Sequence, residues 1–204
     1  MSLHPFPSLR PLAPLLAATF LALPLTAQDG ASADTGSRLS MEIDPATFAF
    51  GGYSAHLRFQ PSPGSKWVLG IGTYAMDFPK GLVDLDSKNR GKGWDVRLQS
   101  GIGVFVDRYL HEPGEGAFLG LQVASQRYQL RNSRLGTGSA EYTMGLAMAR
   151  AGYLWKPTKT GLYVMPWVGL GWTQKASGEP GLGGESYHLS KVIPFATLHV
   201  GWAF

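Results

Sequence analysis

The chain has 204 residues, with 18 lysines and arginines against 14 acidic residues, a formal charge of +4 and no cysteine. Without cysteine it has no disulfides, thiolate metal sites or cysteine nucleophiles. The basic surplus is small and scattered, so nucleic acid is not an expected partner. The 27 glycines and the 12% aromatic content are typical of a β-barrel, because glycine relieves crowding where strands curve and aromatic side chains form girdles at membrane surfaces.

The N-terminal segment has the pattern of a secretory signal peptide. Arg10 precedes an apolar, uncharged run over 11–25, and Ala27 offers a small-residue cleavage point. The run is too short for a membrane-spanning helix, which needs ~20 residues. We therefore predict a signal peptide at 1–27, a disordered polar lead-in at 28–37 and a single barrel domain at 38–204.

Period-two alternation of apolar and polar residues predicts strands along most of the remaining chain. The candidate strands exceed the ~5–6 residues usual in globular sheets and are long enough to cross a bilayer, which takes ~9–11 residues. Strand length therefore favours a membrane barrel over a soluble sandwich. The clear candidates are 47–59, 66–78, 93–110, 116–130, 141–155, 161–174 and 188–204.

The connections between these strands alternate in length. Three are short and rich in proline and glycine, which predicts tight turns; they cover 60–65, 111–116 and 156–161. The others are longer and more polar and cover 79–92, 131–140 and 175–187. Short turns at one end and longer loops at the other are typical of bacterial membrane barrels.

The strand order leaves a gap at the start of the barrel. Because strand 47–59 runs in the same direction as the last strand, a strand of opposite direction has to precede it. Residues 38–43 are the candidate, short and weakly patterned, with Asp44 and Pro45 as the turn that follows. Since such barrels have an even strand number, we predict an all-β, eight-stranded antiparallel up-and-down transmembrane β-barrel with a weak first strand. The alternative is that 38–46 form a short helix or plug in an irregular barrel.

The last strand has an apolar face that ends on the final residue. Every second residue from Val192 to Phe204 is apolar, including Leu198 and Trp202. A terminal aromatic residue on such a face resembles the ending of bacterial outer-membrane β-barrels. With the signal peptide and the strand spacing, it makes the chain similar to the small barrels grouped with the OmpA transmembrane domain and OmpW.

This resemblance implies a location in the bacterial outer membrane and a set of partners. Trp202 and Phe204 would be the assembly signal that the barrel assembly machinery reads. The exterior would contact outer-membrane lipid. In the most charged loop, Lys88, Arg90 and Lys92 would contact the phosphates of lipopolysaccharide.

The polar face of each strand is expected to line the lumen, because an arginine or lysine facing lipid near the bilayer midplane costs ~2–4 kcal/mol. In strand 93–110 this rule directs Asp95 and Arg97 inward and Trp94 outward. Since an eight-stranded barrel is just wide enough for side chains to fill it, we interpret the polar interior as charge-paired filling in preference to a site. The predicted network comprises His56, Arg58, Asp95, Arg97, Gln99, Asp107, Gln122, Arg150 and His199.

The aromatic residues are predicted to face lipid in two girdles at the ends of the barrel. The girdle near the short turns comprises Tyr153, Trp155, Trp202 and Phe204. The girdle near the long loops comprises Tyr74, Trp94, Tyr128, Tyr142 and Trp172.

The leading functional hypothesis is a non-enzymatic outer-membrane barrel with a structural or small-solute role and a lumen filled by side chains. An alternative is an outer-membrane lipid-modifying hydrolase, similar to the lipid A deacylases, with His188, Ser190 and Glu185 as base, nucleophile and orienting acid. The adjacent His-Ser pair of that pattern is absent, because Leu189 separates the two residues. A third hypothesis is a soluble periplasmic barrel that encloses a lipophilic ligand.

The sequence predicts no cofactor and no metal site. It has no local cluster of histidines and carboxylates and no phosphate-binding loop, and its glycine-rich segments lie within predicted strands. A calcium site at Asp84 and Asp86 would lack the full ligand spacing.

Overall fold

The structure, a computed structural model, describes residues 38–136 and 138–204. The predicted signal peptide at 1–27 and lead-in at 28–37 lie outside the described residues. The wall strands are β1 Arg38–Ile43, β2 Tyr53–Gln60, β3 Trp67–Asp77, β4 Trp94–Tyr109, β5 Gly116–Asn132, β6 Ser139–Leu154 and β7 Leu162–Gly178. A small hairpin of β8 Gly181–Leu182 and β9 Glu185–Ser186 precedes the last wall strand, β10 Val192–Ala203.

The eight wall strands form a closed antiparallel barrel in the order β1-β10-β7-β6-β5-β4-β3-β2. Each strand pairs with its neighbour in sequence, and β1 pairs with β10 to close the ring. The predicted all-β eight-stranded fold is therefore confirmed, including the weak first strand at 38–43. The alternative of a helix or plug over 38–46 is wrong for residues 38–43.

The barrel has two unlike ends. At the turn end, which also carries the C-terminus, tight connections join β2 to β3, β4 to β5 and β6 to β7. The opposite loop end carries the short helices α1 Pro45–Ala49 and α2 Lys80–Val83, a 3₁₀ turn at Ser87–Asn89 and the β8–β9 hairpin. No helix in the described ranges is long and apolar enough to cross a membrane.

The predicted strand bounds are wrong at three loop-end positions, one of which is the end of β7, at Gly178 and not at residue 174. The strand expected from residue 47 begins at Tyr53, because α1 occupies the preceding residues. Asp44 caps this helix by accepting a hydrogen bond from the Ala46 amide at 2.9 Å, and Pro45 occupies the first turn, where its missing N–H is no loss. The last wall strand begins at Val192 and not at residue 188.

The exterior of the barrel carries a belt of exposed apolar side chains, which we call the belt. It runs around all eight wall strands on the turn-end side of the barrel. Burial alternates along each strand, so that the belt side chains point away from the lumen. One exposed member from each strand is Met41, Leu57, Ile71, Val104, Leu121, Ala149, Leu170 and Leu198.

The wall continues past the belt on one side of the barrel only. Strands β4 to β7 have 16 or 17 residues, whereas β1 has 6 and β2 has 8. We call the projecting parts of β4 to β7, residues 94–100, 126–132, 139–144 and 173–178, the crown. Its outward side chains are mostly charged or polar, and its inward side chains are buried and mostly apolar, with Gln126, Asn132 and Thr173 as buried polar members.

A β-bulge at Gln99 separates the two parts of β4. Gly101 pairs with Tyr74 of β3, and Leu98 pairs with Met76, so β4 has one residue more than β3 over this step. The same extra residue is present on the β5 side. Because the side-chain period of a strand is two, one inserted residue exchanges the inward and outward sets.

The bulge explains why the faces predicted for β4 are correct on one side of it and wrong on the other. Between the bulge and the turn end, Phe105 and Asp107 face the lumen as expected. In the crown, Trp94, Val96 and Leu98 are buried, whereas Asp95 is exposed. The rule that polar residues face inward assumes an apolar exterior. It does not apply in the crown, whose outer surface is polar.

The crown interior contains a hydrophobic cluster covered by the loop-end connections. Val83 of α2 and Tyr187 of the β9–β10 connection pack onto it. Its strand members include most of the aromatic residues predicted to form the loop-end girdle, so that prediction is wrong for Tyr74, Trp94, Tyr128 and Tyr142. Trp172 is exposed on the exterior as predicted.

Candidate functional site

A cluster of buried ionisable side chains lies in the lumen toward the turn end. We call it the lumen cluster. Its members come from five strands, β1, β2, β4, β6 and β10. In each strand, buried and exposed side chains alternate, and each member is one of the buried residues that point inward. None is more than 3% exposed. The members are Glu42, Arg58, Asp107, Arg150 and His199.

Ion pairs connect these side chains across the barrel. Asp107 pairs with Arg58 at 3.0 Å and with Arg150 at 3.1 Å. Arg58 also reaches Glu42 at 3.5 Å. Two guanidinium groups and two carboxylates are thus present, and their formal charges cancel, as burial in a lumen of low polarity requires.

Further hydrogen bonds hold the Glu42 carboxylate. Tyr163 donates its hydroxyl to Oε2 at 2.9 Å, and Nδ1 of His199 lies 2.9 Å from Oε1. Arg58 donates to the hydroxyl of Tyr109 at 3.1 Å. The carboxylate therefore joins β1 to β2, β7 and β10, the strands on either side of the closure of the barrel.

Aromatic rings separate the guanidinium groups from each other. The ring of Phe105 lies 5.3 Å from Cζ of Arg58 and 4.5 Å from Cζ of Arg150. Arg150 also lies 4.7 Å from the ring of Trp167. Cation–π contacts of this kind are worth ~2 kcal/mol or more where the cation is desolvated. The lumen cluster is a packed plug of ion-paired side chains, which is a structural arrangement.

A cavity of about 70 Å³ lies in the lumen between this cluster and the crown interior. Its lining is mainly apolar, and its polar residues include Asp44, Thr47, Ser54, His56, Gln122, Gln126 and His199. At roughly 10–15 Å³ per water on this measure, the cavity holds a few water molecules. It is too small for the drug-sized ligands of ordinary binding pockets.

Two polar groups beside this cavity have buried atoms without a hydrogen-bond partner among the described residues. They are Nδ1 of His56 and Nε1 of Trp167. Thr197, the cross-strand neighbour of Trp167, has the same property at Oγ1. Buried polar atoms in native structures normally have a partner in protein, water or a bound species.

The structure brings six of the nine predicted network residues together in the lumen: His56, Arg58, Asp107, Gln122, Arg150 and His199. The other three are a correction. Asp95 pairs with Lys80 and Arg97 with Asp77, both on exposed surface. Gln99 is the bulge residue and is partly buried outside the lumen cluster. The bulge is the cause, because it reverses the faces of β4 beyond Gly101.

Sequence reasoning missed three members of this interior. Glu42 lies in the weakly patterned first strand, and Tyr109 and Tyr163 are aromatic residues at strand ends. A usable signal for Glu42 exists, since Leu39, Met41 and Ile43 alternate with it, and such alternation predicts that Glu42 faces the lumen. No comparable pattern in the sequence predicts that the hydroxyl groups of Tyr109 and Tyr163 face the lumen.

The residues of the hydrolase hypothesis lie at the loop end. Asn89 holds the backbone of His188 by accepting from its amide at 2.9 Å and donating to its carbonyl at 2.8 Å. The carbonyl of Ser190 accepts from the Thr173 hydroxyl at 2.7 Å, and Glu185 is exposed on β9. Among the described residues, no hydrogen bond links the side chains of Glu185, His188 and Ser190 into a catalytic relay.

Contacts between two connections close the loop end. Besides the Asn89 contacts, Tyr187 donates its hydroxyl to the carbonyl of Val83 at 2.9 Å. Tyr187 lies 5.9 Å from Trp94 of the crown interior. Its burial raises the pKa of the Tyr187 phenol above the ordinary value, an effect increased by the nearby Asp84 and Asp86 carboxylates.

The aromatic residues at the turn end lie where the sequence predicts. Trp202 and Phe204 point outward, with Phe204 the more exposed at 64%. The backbone amide of Phe204 donates to the carbonyl of Leu39 at 2.9 Å, so β1 anchors the terminal residue. Tyr153 and Trp155 are also exposed, which completes the turn-end girdle.

No protein-family model matches the chain, and no curated protein matches it in sequence. Two solved structures are similar to it in fold. The N-terminal β-barrel domain of Pseudomonas aeruginosa OprF is 12% identical with a TM-score of 0.45, the match covering 84% of this chain and 100% of that one. A major outer membrane protein from Thermus thermophilus is 13% identical with a TM-score of 0.45, covering 82% of this chain and 99% of that one.

Proposed function

We propose that this protein is a non-enzymatic structural β-barrel of the bacterial outer membrane, with a lumen closed by side chains. The observation that carries the proposal is the reversal of polarity along the wall. At the belt the exterior is apolar and the lumen charged, whereas in the crown the exterior is charged or polar and the interior mostly apolar and without buried charge. Such a reversal is expected where the surrounding solvent changes from lipid to water.

The belt alone is difficult to reconcile with a soluble barrel. Leu121, Leu170 and Trp172 are 63%, 59% and 66% exposed. They belong to an apolar surface that is continuous around the ring, far beyond the isolated apolar residues normal on soluble proteins. In a bilayer the same surface faces acyl chains and has no unfavourable contact with water.

The lumen supports a closed barrel over a wide pore. The ion pairs of Asp107 span the interior from β2 to β6, and the rings of Phe105 and Trp167 fill the space between them. The cavity above the lumen cluster holds only a few water molecules. We expect no sustained ion conductance.

Two partners belong to this proposal. Phe204 and Trp202 are exposed at the turn end, which leaves both side chains accessible to the barrel assembly machinery. Lys88, Arg90 and Lys92 are exposed at the loop end, where cationic side chains suit the phosphates of outer-leaflet lipopolysaccharide.

Cell fractionation tests the location. The protein should be recovered in the detergent-extracted outer-membrane fraction, and its gel mobility should change on heating because the closed barrel resists unfolding by detergent. Recovery in the soluble periplasm would overturn the proposal and favour a soluble lipophile-binding barrel.

Planar-bilayer recording tests the closed lumen. We expect the purified barrel to insert without discrete conductance steps. A stable, large conductance in the native protein would contradict the packed plug while leaving the membrane location intact. An altered lipid A mass in a strain lacking the protein, restored by the native chain and not by Ser190→Ala, would instead support the hydrolase.

A further inference from the structure

Three side chains beside the cavity bring together the ligand types that transition metals prefer. Glu42 of β1, His56 of β2 and His199 of β10 each offer one ligand atom, and these atoms lie within 4.8 Å of one another. Glu42 and His56 face each other across the β1–β2 pair. The sequence shows no local metal pattern because closure of the barrel is what assembles the three.

One of these ligands is not otherwise engaged. Nδ1 of His56 is buried and has no hydrogen-bond partner among the described residues. The His56 ring stacks on the His199 ring at a centroid distance of 4.8 Å and an interplanar angle of 24°. An ion has to lie in the plane of each imidazole that binds it, so one ring must turn, and His56 can turn without losing a hydrogen bond at Nδ1.

The hydrogen bonds around Glu42 and the available space suit an ion. Tyr163 holds Oε2 of Glu42, and Nδ1 of His199 lies 2.9 Å from Oε1, so an ion that replaces this contact meets ligand atoms from both residues. Metal–ligand distances of ~2.0–2.2 Å put two ligands at most about 4 Å apart, so the atoms close by about 1 Å on binding. The adjoining cavity, lined by both histidines, has room for water as a further ligand.

The positive charges of Arg58 and Arg150 would repel a metal cation, and their ion pairs with carboxylates reduce this repulsion. Arg58 lies 3.0 Å from Asp107 and 3.5 Å from Glu42. Asp107 also pairs with Arg150. Glu42 can therefore turn from Arg58 toward an ion while both arginines keep a carboxylate partner.

We propose that Glu42, His56 and His199 form a binding site for a divalent transition-metal ion of the zinc, cobalt or nickel class. Two imidazoles and one carboxylate, completed by water, are a ligand set that zinc uses at open sites. Calcium and magnesium are excluded because they prefer six or more oxygen ligands. The site joins β1, β2 and β10, so the ion would also strengthen the closure of the barrel.

The test titrates Co²⁺ into untagged, folded protein in neutral-detergent micelles and follows its visible d–d absorption. We expect one equivalent to bind, to be displaced by Zn²⁺ and to be unaffected by Ca²⁺. Absence of Co²⁺ absorption in the native protein at millimolar Co²⁺ would overturn the proposal.

Two variants locate the site. His56→Ala should weaken Co²⁺ binding at least tenfold, and His199→Gln should do the same while its amide can still donate to Glu42. Heat-modifiable gel mobility establishes that each variant is folded. Unchanged binding in folded His56→Ala would overturn the assignment.

A matched control uses the other two described histidines, His111 and His188, which lie in the connections. The double variant His111→Ala/His188→Ala should bind Co²⁺ within twofold of the native protein. Loss of binding in this variant would place the ion at the surface and contradict the lumen site.

Discussion

Arg150 binds Asp107 through Nε and Nη2, each at 3.1 Å, and this pair connects β6 to β4 past the intervening strand β5. The same carboxylate holds Arg58 of β2 at 3.0 Å. One acidic residue thus neutralises two arginines that are almost completely buried. The stability of the lumen depends on Asp107 more than on any exposed pair.

Asp107→Asn should lower the free energy of unfolding by about 3–5 kcal/mol, because it leaves buried guanidinium charge without its partner. Urea unfolding in lipid vesicles, followed by heat-modifiable gel mobility, measures the change. The matched control is Asp95→Asn, whose exposed pair with Lys80 should contribute very little. Equal effects of the two substitutions would contradict the lumen cluster as a buried network.

Leu121→Arg should destabilise the barrel in bilayers by ~2–4 kcal/mol, because it places a charge in the middle of the belt. Ser177→Arg, at an exposed position of the crown, should have little effect because the crown lies in water. Urea titrations of both variants in vesicles provide the comparison. A similar cost for the two would place the boundary of the bilayer elsewhere.

Phe204→Ala should reduce the amount of assembled barrel in the outer membrane of cells, while the purified variant should still refold in detergent. The reason is that the exposed Phe204 ring contributes little to internal packing and is available to the assembly machinery. Phe48→Ala, at an exposed loop-end phenylalanine, is the control. If both variants assemble at native levels, the terminal residue is not the signal.

Asn89→Ala should open the loop end and leave the barrel intact. It removes both hydrogen bonds to the His188 backbone and leaves those groups partly buried, at a cost of about 1–3 kcal/mol. Limited proteolysis of intact vesicles should then cut within 78–93 faster than in the native protein. Ser87→Ala, at an exposed neighbour, should leave the rate unchanged.

Alkaline pH should open the same region through Tyr187. Burial raises the pKa of this phenol above its usual value of about 10. As pH rises past about 10, the open state loses the Tyr187 proton while the closed state keeps it, so closure is fully stable below that pH and weakens above it. Tyr187→Phe should make proteolysis within 78–93 less dependent on pH; equal pH dependence in both proteins would exclude Tyr187 as the cause.

Much of the fold follows from local patterns in the sequence. Alternation predicted seven strands, and the even-number rule identified 38–43 as the eighth. The same alternation placed Arg58 and Gln122 in the lumen correctly, because β2 and β5 keep one parity along their length in the belt. Strand 141–155 shows no clear polar face, and there the inward position of Arg150 rested on the cost of exposing its charge to lipid.

The wrong face assignments lie in β4, where a bulge interrupts the period of two that the prediction assumes. Gln99 adds one residue to β4, so Asp95 and Arg97 face outward although their parity matches Asp107. The crown adds a second cause, since apolar residues such as Trp94 face inward once the exterior is water. Sequence alone gave no sign that the surrounding solvent changes along one strand.

The sequence by itself determined the strands, their directions and the outward position of Phe204, because turn chemistry and a period of two are properties of neighbouring residues. Only the tertiary structure decided which interior atoms meet. Glu42 contacts His199 across a separation of 157 residues because β1 closes the barrel against β10. Such long-range contacts depend on the register between strands. A single bulge or the closure of the ring sets this register, and it cannot be read from the residues within one strand.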